Sequence, residues 1–253
     1  MLNSCVAMRG ANPMAASAEA GFNSDFRLPL DRTLWEPEPL ADADGLCGTD
    51  PTLLETTPDG LRLSLANQNW KNNGCAYGSL WSKHTLGYGT VIAVLEVPIH
   101  PGETTDLLLI GDARSKDGPQ KAIELRFLGK DLGAVQARAL WDASAGIRDA
   151  GMSKRIPLGF DAGAAFHVWS IAWTPGRVTW SADGLTLCST TLAVPDVPLT
   201  LVLRHSVPDS DDPNASRDWD SSSGDTMIHY GSLDRSAWPS FTYVRSIKFV
   251  PLQ

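Results

Sequence analysis

Cysteine is scarce, basic runs are missing and no long apolar stretch interrupts the chain; each shortage closes off a class of function. The four cysteines, Cys5, Cys47, Cys75 and Cys188, contain no CxxC pair, so a thiolate metal site has no framework to grow from and no metal is expected. No block of Lys or Arg occurs, and a net charge of −8 with an isoelectric point near 5.0 opposes a nucleic-acid role, which needs a basic face. No run approaches the roughly 20 apolar residues of a membrane helix. The opening MLNSCVAMRGANPMAASAEAG likewise has no apolar core long enough for a signal peptide. The chain as given is expected to be soluble, with no membrane span and no cofactor.

Helical periodicity of convincing length is also missing, and what fills its place is strand grammar. With 253 residues, 43% of them hydrophobic, and nine tryptophans, the chain can bury a large core, and β-sandwiches of about 200–250 residues often form one unit. Residues 1–22 are rich in Ala, Asn, Met and Gly without period and read as a flexible N-terminal arm; residues 23–253 read as a single domain. Short alternating runs follow turn residues: Thr57-Pro58-Asp59-Gly60 before Leu61 to Leu65, and Asn72-Asn73-Gly74 before Cys75 to Trp81. Further strands are predicted over Thr90–Val97, Asp106–Ile110, Ala122–Phe127, Ala134–Trp141, His167–Trp173, Arg177–Ala182, Leu199–Arg204 and Phe241–Val250. Asp183-Gly184 supplies a hairpin turn.

Between Pro208 and Ser240 the alternation gives way to Asp, Ser, Asn and Gly, a long loop of the functional kind. It contains a glycosylation sequon, Asn214-Ala215-Ser216, and an acidic stretch, Asp218 to Asp225, that misses the EF-hand spacing. Cys47 and Cys75 flank the first strands and could form a disulfide in an exported protein, or remain idle thiols.

Several segments in order resemble glycoside hydrolase family 16: Leu86-Gly87-Tyr88-Gly89, Glu124-Leu125-Arg126-Phe127-Leu128-Gly129-Lys130-Asp131, Phe166 to Gly176, Val178 to Gly184, and the closing run Tyr243 to Phe249. The resemblance covers roughly residues 75–250. It implies an all-β jelly roll, two antiparallel sheets of the concanavalin A-like lectin/glucanase type, with a cleft for an extended polysaccharide. It also implies an extracellular, periplasmic or cell-surface location.

The family pattern is Glu-x-Asp-x-Glu ahead of Phe-Leu-Gly, the first Glu a nucleophile and the last an acid/base. Alternation puts residues i, i+2 and i+4 on one face of a strand. On this chain those positions are Ala122, Glu124 and Arg126, while Ile123, Leu125 and Phe127 keep the core face. Alanine cannot form a glycosyl ester, and a guanidinium does not donate a proton at neutral pH; no catalytic residue is therefore expected at this motif. On the neighbouring strands Arg138 and Arg204 stand where the resemblance implies sugar-binding Asn, and Ser206 where it implies a stacking Trp. Ser246 replaces the Asp that would hold a calcium.

The expected ligand-binding residues are Glu124, Arg126, Gln136, Arg138 and Arg204, with Trp141 and Trp81 as stacking faces. Three arginines beside one glutamate would suit an acidic glycan, or the arginines could simply pair with Glu124 and fill the cleft. Trp169, Trp173 and Trp180 are assigned to the core, and His167 and His205 to structural roles. Three functions remain. The first is a non-catalytic polysaccharide-binding pseudoenzyme. The second is an endo-acting hydrolase on a β-glucan or exopolysaccharide, with carboxylates from elsewhere, Asp112 and Asp142 among them. The third is a structural or adhesive protein.

Overall fold

The computed structural model describes residues 20–39, 47–68, 74–111, 121–141, 152–207 and 234–253. They form β1 (Phe22–Asp25), β2 (Trp35–Pro37), β3 (Gly48–Thr49), β4 (Leu54–Thr57), β5 (Gly60–Asn67), β6 (Cys75–Tyr77), β7 (Ser79–Leu86), β8 (Gly89–Glu96) and β9 (Thr104–Ile110). There follow β10 (Lys121–Leu128), β11 (Ala134–Trp141), β12 (Met152–Pro157), β13 (His167–Thr174), β14 (Arg177–Ala182), β15 (Leu185–Thr190), β16 (Leu199–Ser206) and β17 (Ser240–Pro251). Two short 3₁₀ turns, Pro51–Leu53 and Arg235–Ala237, are capped by the Asp50 and Asp234 carboxylates.

One sheet runs β15-β14-β13-β8-β17-β5-β6-β3, with β1 on β17 and β4 on β5; the other runs β12-β11-β10-β9-β16-β7-β2. All pairings are antiparallel except the short β3–β6 pair. This is the all-β two-sheet sandwich expected. Phe22, placed in the arm by composition, instead begins β1 and pairs with Phe249. Of the expected loop at 208–240, residues 208–233, with the sequon and the acidic stretch, lie outside the described residues; its end contains the 3₁₀ turn at Arg235–Ala237 and the start of β17. Asn72 and Asn73 also lie outside them.

Alternation decides which side chains meet between the sheets. Ile123, Leu125 and Phe127 of β10 enter a core shared with Trp169, Trp173 and Trp180, and the Phe127 and Trp169 rings pack edge-on with centroids 4.7 Å apart. Gly129 ends the Phe-Leu-Gly run because the chain passes His100 so closely that a Cβ there would lie 1.8 Å from its carbonyl oxygen. Asp183 and Gly184, at φ of 48° and 79°, make the left-handed turn predicted for the β14–β15 hairpin.

His205 is buried between the sheets. Its Nε2 lies 3.2 Å from Glu103 Oε2 and 3.4 Å from Ser240 Oγ, and its Nδ1 lies 3.4 Å from the Leu63 carbonyl. The Trp238 indole donates to Glu103 Oε1 at 2.7 Å. Beside this cluster Cys47 and Cys75 form a disulfide with Cα atoms 4.8 Å apart, and both pack against Trp238 and Val207.

Candidate glycan-binding face

The seven-stranded sheet turns one face to the core, and the opposite face carries Glu124, Arg126, Gln136, Arg138, Arg204 and Trp81; position 141, expected there as a stacking Trp, is instead in register with Ala137 and Ala139 of the core face. Pairing sets the neighbours in two rows across the sheet. The first is Arg155, Gln136, Arg126, Asp106, Arg204 and Ser79; the second is Ser153, Arg138, Glu124, Leu108, Val202 and Trp81. Adjacent strands lie about 4.8 Å apart, so oppositely charged groups in neighbouring rows can touch.

They do touch, in one continuous chain. Arg138 Nη1 meets Glu124 Oε2 at 2.7 Å, and Arg126 Nη2 meets Glu124 Oε1 at 3.1 Å. Arg126 Nε donates to Asp106 Oδ1 at 2.8 Å, and Arg204 Nε donates to Asp106 Oδ2 at 2.8 Å. Glu124, Arg126, Arg138, Gln136 and Asp106 are all buried, whereas the Arg204 side chain remains 32% exposed. Among the described residues, three guanidiniums and two carboxylates make up this chain of contacts.

Asp106 was missed in the sequence reading, although alternation along Asp106–Ile110 places it with Leu108 and Ile110 on one face; its role depends on β9 lying between β10 and β16. Burial opposes its ionisation, but Arg126 and Arg204 outweigh that and hold its carboxyl far below the usual carboxylate range. Burial likewise works against the charge on Arg204, and Asp106 more than offsets it, so the Arg204 pKa is raised.

Beside the charged chain, Leu108, Ala122 and Val202 form a small apolar cluster against which Trp81 and Ile110 pack. The Trp81 indole donates to Ser79 Oγ at 2.9 Å and to Glu38 Oε2 at 3.2 Å, which fixes its ring. The hydrophobic strip on this face is thus Trp81 with its neighbours; Ser206, at the expected Trp position, is buried beside Thr104. Trp141 ends β11, while Asp112 and Asp142 lie outside the described residues. The Gln136 Oε1 and Ser153 Oγ atoms are buried without a hydrogen-bond partner among the described residues.

A family model for glycosyl hydrolases family 16 matches residues 45–230. The chain belongs to this family. A beta-glucanase of Paenibacillus macerans is 30% identical over 195 residues, covering 73% of this chain and 76% of that protein. A beta-glucanase of Paenibacillus polymyxa is 32% identical over 148 residues, covering 56% of this chain and 57% of the relative. This match thus spans little more than half of that relative's length. Among solved structures, a prokaryotic beta-1,3-1,4-glucanase (lichenase) derived from a mouse hindgut metagenome superposes with a TM-score of 0.76 at 20% identity, covering 92% of this chain and 100% of that one. The Bacillus licheniformis beta-glucanase gives 0.73 at 20% identity, covering 93% and 100%. These likenesses establish the family 16 sandwich.

Proposed function

We propose that this family 16 chain is a non-hydrolytic, glucanase-like protein that binds a polysaccharide or oligosaccharide on the face carrying Arg126. The supporting observation is the environment of its carboxylates. A retaining glycosidase needs one carboxyl free to attack the anomeric carbon and a second that carries a proton, about 5–5.5 Å apart. Here Ala122 and Arg126 occupy the positions matched to those two groups. Both oxygens of Glu124 are engaged by Arg126 and Arg138, and both oxygens of Asp106 by Arg126 and Arg204. Asp106, with its pKa depressed, cannot act as a proton donor near neutral pH.

Half-buried Trp81 beside an apolar patch supports sugar binding, since an aromatic face stacks on the C–H face of a pyranose while nearby polar groups fix its hydroxyls. The Cys47–Cys75 disulfide supports an exported protein working in an oxidising compartment.

The test is reducing-end release over a panel of neutral and acidic polysaccharides, with binding to the same panel measured in parallel. The expected result is binding without hydrolysis. Sustained hydrolysis by independent preparations that is lost in Asp112→Asn or Asp142→Asn would overturn the proposal in favour of an enzyme with carboxylates outside the motif. Absence of both hydrolysis and binding would point to a structural or adhesive role.

A further inference from the structure

Resting on that reading, we infer that Arg204 is the residue that selects an acidic glycan, receiving a carboxylate or sulfate borne by a sugar seated against Trp81. Arg204 differs from the other two arginines of the charged chain. Arg126 and Arg138 have side chains only 8% and 6% exposed, and each bonds a buried carboxylate. Arg204 spends its Nε on Asp106 Oδ2, and its two terminal amino groups donate to no other described residue. With 32% of the side chain open, those amino groups form an accessible fork.

A planar fork matches two oxygens of a carboxylate or sulfate with parallel N–H···O bonds, a geometry that neither a lysine nor the amide of an asparagine reproduces. Asp106, itself fully buried, holds the guanidinium at its Nε edge and so aims the fork before a ligand arrives; little rotamer entropy is then lost on binding.

Trp81 completes the subsite. Arg204 pairs with Ser79 on β7, and Trp81, two residues along on the same face, is its diagonal neighbour at about 7–8 Å, within reach of long and aromatic side chains. One sugar can therefore lie against the indole while its acidic substituent meets the fork. The Trp81 indole is itself held by Ser79, the cross-strand neighbour of Arg204, and by Glu38, so its ring is fixed beside the fork.

The experiment is calorimetric titration with an oligogalacturonide, a sulfated galactan oligosaccharide and a neutral cello-oligosaccharide of matched length. It uses the wild type, Arg204→Gln, Arg204→Lys and Trp81→Ala, each checked for folding by its thermal midpoint. At least one charged ligand is expected to bind the wild type more tightly than the neutral one, with affinity that falls as salt rises. Arg204→Gln should weaken that ligand about tenfold while leaving the neutral one within about twofold. Arg204→Lys keeps the charge opposite Asp106 but loses the fork; it should fall between the two, and it serves in place of Arg204→Gln if that variant does not fold. Trp81→Ala should weaken charged and neutral ligands alike. Equal binding of the charged ligand by wild type and Arg204→Gln would overturn the role of Arg204 while leaving glycan binding intact. Equal affinity of the wild type for charged and neutral ligands would overturn the acidic class alone. Failure of every glycan to bind would remove the underlying reading and this inference with it.

Discussion

Replacing Asp106 by Asn removes one charge and almost no volume, and it strikes the centre of the buried chain. Arg126 Nε donates to one Asp106 oxygen and Arg204 Nε to the other. An amide offers a single oxygen, so its NH₂ must face one of the guanidiniums, donor against donor. Two cations then confront each other without the anion between them. Removing one partner of a buried pair costs about 3–5 kcal/mol. The low end is expected here, because Arg126 retains Glu124 at 3.1 Å and Arg204 can turn its exposed third to water. For a chain of this size each kcal/mol lowers the melting midpoint by about 2–4 °C, so a fall of roughly 6–12 °C should accompany a loss of about 3 kcal/mol. Urea denaturation followed by tryptophan fluorescence at neutral pH measures it. The double variant Asp106→Leu/Arg126→Leu removes charges of both signs and should recover at least about 1 kcal/mol relative to Asp106→Asn. Asp25→Asn, which breaks the exposed pair with Arg27, should change little. A loss for Asp106→Asn below about 1 kcal/mol, the size of a surface pair, would refute the argument that this network holds the face together.

Three other outcomes follow from the same structure. The Glu103 carboxyl is opposed by burial yet held below its ordinary 4.5 by His205, the His100 amide and Trp238, and Asp106 lies below its ordinary 3.8. Depressed acids contribute stability that is fully present above their unfolded values and is lost as pH falls through the folded ones. Urea midpoints should therefore hold steady from neutral pH down to about 5 and then decline, less steeply in Glu103→Gln. Replacing Cys47 and Cys75 together by Ala opens a loop of 28 residues and should cost about 3–4 kcal/mol in equilibrium unfolding. Gly129→Ala drives a methyl into the His100 carbonyl and should cost about 3 kcal/mol, the upper end of overpacking penalties, read by the same unfolding curve.

Alternation made one strand legible in full. Ile123, Leu125 and Phe127 could only face the core together, so Ala122, Glu124 and Arg126 had to share the other face, and the structure has that arrangement. Gly60 and Asp183-Gly184 marked their hairpins equally well, because their positive φ is a local backbone requirement, whereas Gly129 is required by the approach of His100, which no local pattern shows. β12 and β15 are as long as β14 but lack its regular in-and-out alternation, so they do not register, and Phe22 entered β1 only through its pairing with β17.

By itself, then, the sequence determined the sandwich class and the faces of the long strands, since these depend on periodicity and residue chemistry. Tertiary structure alone decided which charges meet. Asp106 lies 20 residues from Arg126 and 98 from Arg204, and only the order β10-β9-β16 brings the three together. It also decided that Arg126 and Arg138 are buried while Arg204 stays open, because exposure depends on which strands and side chains surround a group, and that is set by packing across the sheet rather than by any local pattern along the chain.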